Sequence, residues 1–395
     1  MKSVVRIVQI IVGVLFIISG LVKANDPLGL AYKMEEFFEL WNSDLAKGSF
    51  FLKNPLISLF QFLHSHTLAL SITMITLEIV AGVALLITWK KKFVLYLLLI
   101  LMFFFTFLTG YAYLSGKFTN CGCFGDCLPI TPLTSFIKDL VLLVFIMFLI
   151  IGQSFLRSAL SYKTRNIILL SSLIFSLVLQ WYVLNYLPIV DCLPFKEKNN
   201  IAEKMKAPPG SVPDSIAIRF IYEKDGKRFE FAPESLPEDF TTYKYIDRID
   251  KLIRKGNAEP AIKSFSLMSN EIDQQTGNKV DSTPIILQQP TAIMVFFLDF
   301  SGEKWIEGFK QLLAAAKQKE LAIYVLSASA NEGMKIFDQN GIKGNVQFFN
   351  TDFTVVRTAA RTNPTVYILK KGTILKKYSE EELAAAATDI DDGKF

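Results

Sequence analysis

Five long apolar stretches occupy the first half of this chain, and they narrow its folding options more than any other feature. They run roughly Val4–Val22, Leu68–Trp89, Val94–Leu114, Leu133–Phe155 and Ile167–Leu187. A helix needs about 20 apolar residues to cross the hydrocarbon core of a bilayer, and each stretch has that length. The chain has 395 residues, 51% of them hydrophobic, yet its second half is polar. The expected architecture is an α-helical membrane bundle of five transmembrane helices over 1–190, followed by a soluble α/β domain.

The basic residues orient the bundle. Lys2 and Arg6 open the first span, Lys90, Lys91 and Lys92 fill the turn between spans two and three, and Arg157, Lys163 and Arg165 separate spans four and five. These three places share a side if every span crosses, and their Lys/Arg excess makes that side cytoplasmic. The opposite loop, about 24–66, mixes Lys33, Lys47 and Lys53 with Asp26, Glu35, Glu36, Glu39 and Asp44. No small-x-small cleavage site follows Val22, so the first span reads as a signal anchor. The second half then lies outside. The net charge of +5 is largely used in setting topology, so membrane lipid is an expected partner and nucleic acid is not.

Residues 191–214 read as a polar linker ending in Ala207-Pro208-Pro209-Gly210, and 215–259 as a small hairpin-containing subdomain. Within it, Ile216–Tyr222 and Arg228–Phe231 flank a turn, and a helical stretch is expected around Tyr245–Lys255. From 260 to 395 strand and helix patterns alternate: Ala292–Leu298, Glu303–Lys319, Leu321–Ser327, Asn331–Asn340, Val346–Phe349, Val355–Arg361, then Thr365–Leu369 and Ile374–Lys377. That order resembles the thioredoxin fold, with Pro364 where the family's cis-proline stands. The family's Cys-x-x-Cys would follow the first central strand; Phe300-Ser301-Gly302-Glu303-Lys304 stands there, and no cysteine occurs after Cys192. The domain is therefore either a platform for a peptide or partner, or a cap on the bundle.

All four cysteines fall on the outer side. Cys121, Cys123 and Cys127 share one short loop, and Cys192 follows the last span. Thiols on an oxidising side can form and exchange disulfides, which cytosolic thiols rarely do. A Cys121–Cys123 bond would close a very small ring, store strain and open easily, so it could pass its disulfide to a substrate dithiol. For Cys127 and Cys192 two readings stand: a structural bridge, or a relay pair. Metal binding with His64 or His66 is not expected, because zinc sites usually present Cys-x-x-Cys rather than Cys-x-Cys-x-x-x-Cys.

Asn120-Cys121-Gly122-Cys123-Phe124-Gly125, followed by an apolar helix carrying Lys138-Asp139, resembles the DoxX/MauE group of membrane proteins. Arg6, Gly13, Phe16, Ser19-Gly20, Lys23 and Asp26-Pro27 resemble the opening of DoxX-type helices, and Glu78 and Gly82 fit as well. The resemblance implies disulfide formation during maturation of exported proteins. It also implies a bacterial inner membrane, with the N-terminus cytoplasmic and the C-terminal domain periplasmic. A quinone in the bilayer, or another protein, would reoxidise the pair. An exported protein substrate, or a partner in a hetero-oligomeric membrane complex, would dock outside.

Glu78, about halfway along span two, is either a proton acceptor for thiol or quinone chemistry or a packing hydrogen bond to Ser19, Thr106 or a carbonyl. His64 and His66 could lower a thiol pKa or simply anchor a helix end. Asp126 would raise nearby thiol pKa values unless Lys117 or Lys138 offsets it. For Lys138 and Asp139 a structural role at the outer end of span four suffices. Two functions follow. One is a thiol–disulfide oxidoreductase with Cys121 and Cys123 as the exchanging pair and Glu78 as proton relay. The other is a non-enzymatic assembly factor with structural disulfides and a partner-binding outer domain.

Overall fold

A computed structural model describes residues 1–48, 51–118, 125, 127–128, 130–254, 256–272 and 279–394. Helices α1 (Lys2–Ala24), α2 (Pro27–Lys47), α3 (Lys53–His64), α4 (Thr67–Leu86), α5 (Lys91–Ser115), α6 (Pro132–Ile151) and α7 (Tyr162–Tyr186) form the first part. Among the described residues, α1, α4, α5, α6 and α7 are long and apolar enough to cross a membrane.

The segment taken as a loop, 24–66, is instead a pair of helices. Asp26 caps α2, its carboxylate accepting from Gly29 N at 3.0 Å, and Pro27 takes the first helical position. Met34 and Phe38 of α2 pack with Met74 of α4 and Leu101 of α5. The acidic residues between these apolar ones lower the average hydropathy and hide the helix.

Small residues set the spacing of α1 and α4. A Cβ on Gly82 would lie 2.8 Å from the Gly13 carbonyl oxygen, and one on Gly20 would lie 2.5 Å from Ile79 Cγ1. Such contacts let two backbones approach closely inside a bilayer. Gly82→Leu should therefore push the helices apart and cost about 1–3 kcal/mol. Thermal melting of the detergent-solubilised protein checks this; an unchanged midpoint would show that the approach does not matter.

The chain then enters its C-terminal part. Residues 191–214 are only partly a linker. Leu193, Phe195 and Ile201 are buried, and α8 (Ile201–Lys204) lies against the domain that follows, with Asn200 bridging to Thr373. A few apolar residues in a polar stretch are enough to dock it. Strands β1 (Ser215–Lys224), β2 (Lys227–Phe231) and β3 (Lys244–Arg254) make an antiparallel sheet of order β2-β1-β3. The helix expected at Tyr245–Lys255 is thus a strand, β3. Ile246, Ile249 and Ile253 are spaced like a helix face, but pairing with β1 across two register shifts outweighs that spacing.

The larger sheet comprises β4 (Met268–Ile272), β5 (Lys279–Asp281), β6 (Ala292–Phe296), β7 (Ile323–Ser327), β8 (Val346–Asn350), β9 (Thr365–Lys370) and β10 (Thr373–Tyr378), in the order β10-β9-β6-β7-β8-β4-β5. Its helices are α9 (Thr283–Leu287), α10 (Lys304–Gln318), α11 (Ala330–Gln339), α12 (Phe353–Ala359) and α13 (Leu383–Asp392). Strands β6, β7 and β8 run parallel, β9 and β10 antiparallel, and the Asn363–Pro364 bond is cis. This is a thioredoxin-like α/β arrangement. Side-chain alternation divides its core. Ile293, Val295 and Phe297 meet Trp305, Phe309 and Ile390 on one face, while Met294 and Phe296 meet Val356, Ile201 and Phe195 on the other.

Candidate functional site

Four charged residues gather within the bundle, between its middle and the end where α1 stops and α6 starts. Lys23, at the end of α1, donates from Nζ to Glu78 Oε1 at 2.5 Å. Glu78 lies about 16 Å along α4 from Thr67, so the lysine stem reaches inward rather than out to water. Across the same space, Asp139 Oδ1 pairs with Lys138 Nζ at 2.7 Å, and Asp139 Oδ2 accepts from Thr109 Oγ1 at 3.0 Å. Lys23, Glu78 and Asp139 are 3%, 1% and 1% exposed, so the Lys23–Glu78 pair and the Asp139 carboxylate are interior, while the Lys138 side chain is 26% exposed. Lys23 also stands 4.7 Å from the centroid of the Phe105 ring. Ions removed from water keep their charge only when closely paired, and both pairs meet that requirement.

The pairs line one cavity of about 30 Å3, together with Ser19, Met102 and Phe105. That is room for one or two waters and too little for a quinone ring. Glu78 Oε2, buried, has no hydrogen-bond partner among the described residues. It is a free acceptor within a space of water size.

Only a few residues of the segment between α5 and α6 are described. Cys121, Cys123 and Asp126 lie outside the described residues, but three anchors of the loop are placed. Lys117 reaches Asp44 of α2 at 2.8 Å, and that contact, with a hydrogen bond from Tyr111, holds the Asp44 carboxyl down to about 2. A Cβ on Gly125 would lie 3.8 Å from the carbonyl oxygen of Val22, one residue before Lys23. Beyond it, Cys127 is bonded to Cys192, with a Cα–Cα separation of 4.9 Å. The bridge fastens the loop to the start of the outer part and removes both sulfurs from any metal set.

The outer domain rests on the bundle through α12 and the residues leading to the cis-proline. Arg361 Nε lies 2.9 Å from both carboxylate oxygens of Asp26. Arg357 pairs with Glu35, and its guanidinium stands 3.7 Å from the Tyr32 ring centroid. Burial pushes the Tyr32 hydroxyl pKa up, although both arginines oppose the shift. Where a thioredoxin-like oxidoreductase carries its dithiol, Ser301 N donates to Asp299 Oδ1 at 2.8 Å and Asn363 Nδ2 donates to the Asp299 carbonyl at 2.9 Å. Asp299 and Ser301–Lys304 are exposed and offer no sulfur.

Sequence reasoning singled out Glu78 but missed its partner Lys23, and it assigned Asp139 to the helix end. Depth was the available signal: Asp139 lies about 10 Å inside α6, beyond the first turn where a helix dipole acts. Of the packing partners suggested for Glu78, Ser19 lines the same cavity, and Glu78 Oε1 is taken by the Lys23 ion pair. His64 lies 3.2 Å from Glu39, and His66 Nδ1 lies 2.9 Å from the Phe62 carbonyl, so both histidines have partners on α2 and α3.

The membrane part matches a known family. Residues 54–152 match the family described as Methylamine utilisation protein MauE. The MauE match takes in Glu78, Asp139 and the three loop cysteines and leaves out α1, hence Lys23. Residues 216–255 match a second family, described as a domain of unknown function (DUF8463), and these are the residues of the β1–β3 sheet. Two solved structures are similar to about a third of the chain. BsSco, a member of the Sco family of cytochrome c oxidase assembly proteins in which a disulfide switch was identified, is 15% identical. It covers 32% of this chain and 90% of its own, with a TM-score of 0.24. The C-terminal domain of a protein described as a thiol-disulfide oxidoreductase, from Bacteroides thetaiotaomicron, is 15% identical. It covers 33% of this chain and 92% of its own, with a TM-score of 0.21. The thioredoxin-like assignment rests on strand order and the cis-proline, not on these scores. No curated protein matches the chain.

Proposed function

We propose that this chain is a membrane-bound thiol–disulfide oxidoreductase of the bacterial cytoplasmic membrane that makes disulfides in exported proteins. Cys121 and Cys123 are the exchanging pair, and Cys127–Cys192 is the fixed bridge that holds their loop. The observation that supports the reading is the pair of buried carboxylates, Glu78 and Asp139, each held by a lysine and both lining one water-sized cavity. Structural packing alone gives little reason to keep four charges in an apolar bundle, whereas a redox site that moves protons needs titratable groups. The MauE match across α3 to α6 supports the same reading.

In each cycle a client thiolate attacks one sulfur of the Cys121–Cys123 bond, and the resulting mixed disulfide is resolved by the client's second thiol. The client loses two electrons and two protons; the loop pair gains them as two thiols. A membrane quinone, as a diffusing co-substrate, takes both electrons and two protons and leaves as quinol. The outer domain, which has no cysteine after Cys192, serves to hold the loop end and present the client side.

A scaffold role is the second reading, and the missing dithiol at Ser301–Lys304 is what favours it. Differential alkylation across a glutathione series separates the two. The oxidoreductase requires a Cys121–Cys123 bond that opens above about −200 mV, with Cys127–Cys192 closed to below about −300 mV. Cys121→Ser should then abolish oxidation of a dithiol peptide while leaving the fold intact. If all four sulfurs stay bridged below about −300 mV, the scaffold reading replaces it.

A further inference from the structure

We infer that Glu78 and Asp139 form a water-bridged proton-transfer site that serves the cysteine loop, with Lys23 and Lys138 as its counter-charges. This deepens the proposed function and depends on it. The two carboxylates stand on different helices, α4 and α6, yet line one cavity. Each has an oxygen committed to a lysine, Glu78 Oε1 to Lys23 and Asp139 Oδ1 to Lys138. The second oxygens differ. Asp139 Oδ2 accepts from Thr109, whereas Glu78 Oε2 is buried and has no partner among the described residues. A buried carboxylate oxygen without a donor is costly, and water in an adjoining polar cavity is the ordinary remedy. Water there connects Glu78 to the Asp139 side.

The stoichiometry fits the chemistry. Reoxidation of the loop converts two thiols and one quinone into one disulfide and one quinol, so two protons leave the sulfurs and two reach the quinone oxygens. The cavity is too small for the quinone ring. Protons can therefore cross this space while the ring stays outside. The end of α1 lies near both cavity and loop: Lys23 lines the cavity, and a Cβ on Gly125 would come within 3.8 Å of the neighbouring Val22 carbonyl oxygen. Lys23 and Lys138 each place a cation against one carboxylate, and a proton arriving on a carboxylate weakens that ion pair. That penalty drives the proton onward.

Glu78 and Asp139 act through water on the sulfurs, so the test needs a readout that a merely structural role would not move. The full-length protein in detergent is assayed with a reduced dithiol peptide and a short-chain ubiquinone analogue. Asp139→Asn and the charge-balanced pair Lys23→Met with Glu78→Gln should each lower quinone-coupled turnover at least tenfold and alter its pH profile. Melting curves identify variants that fail to fold, and Lys138→Met with Asp139→Asn provides a second neutral version. Infrared difference spectra between oxidised and reduced protein should show a carboxyl band that each substitution removes. Folded variants with turnover within twofold of wild type and an unchanged carboxyl band would overturn the inference. If wild type itself fails to oxidise the peptide, the proposed function falls and this inference with it; normal wild-type activity with silent variants removes the inference alone.

Discussion

Lys23→Met should cost the bundle about 3–5 kcal/mol, and adding Glu78→Gln should restore most of that loss. The single change leaves a carboxylate 1% exposed, with one oxygen already lacking a partner among the described residues and the other newly deprived of its lysine. An isolated buried charge is among the most destabilising single defects a protein can carry. The double change places an amide beside a thioether of similar volume, and nothing charged remains to be desolvated. Thermal melting of the three proteins in one detergent is the measurement. A single variant as stable as wild type would mean that water reaches Glu78 freely and that the pair is not interior.

The second large effect is expected at Arg361, which is 4% exposed and meets Asp26 with its Nε equidistant from both oxygens. Arg361→Ala should weaken docking of the outer domain by about 3 kcal/mol, the lower end of the range for breaking a buried pair. The lower end applies because Asp26 still accepts from Gly29 N as the cap of α2. The domain would remain tethered by Cys127–Cys192 and by the chain leaving α7. Hydrogen exchange should report the release: amides of α12 and of the start of α2 should exchange faster, while those of β6 and β7 keep their protection. Unchanged exchange in α12 would show that other contacts carry the docking.

The bundle was legible because each span is long, apolar and flanked by lysine or arginine, signals that depend on composition alone. The thioredoxin-like order was legible from β6 to β10 because buried strands read as short apolar runs between amphipathic helices. Tyr245–Lys255 misled because three isoleucines at helical spacing say nothing about the neighbouring strand that captures them. The site was half legible. Glu78 declares itself by standing in an apolar run. Lys23, at a span end, looks like an interfacial anchor until the fold turns its side chain inward. Asp26 and Arg361 are 335 residues apart, and no local pattern links them.

Lys23 and Asp26 stand on one corner, where α1 ends and α2 begins. The first points into the bundle toward Glu78; the second holds Arg361 of the C-terminal domain. Any coupling between these two ends is bound by reciprocity. Whatever factor docking applies to the proton affinity of the Glu78 pair, protonation of that pair applies to docking. Under the proposed function, a corner of four residues would link the membrane site to the C-terminal domain, and a protein bound to that domain would bias the site without touching a cysteine.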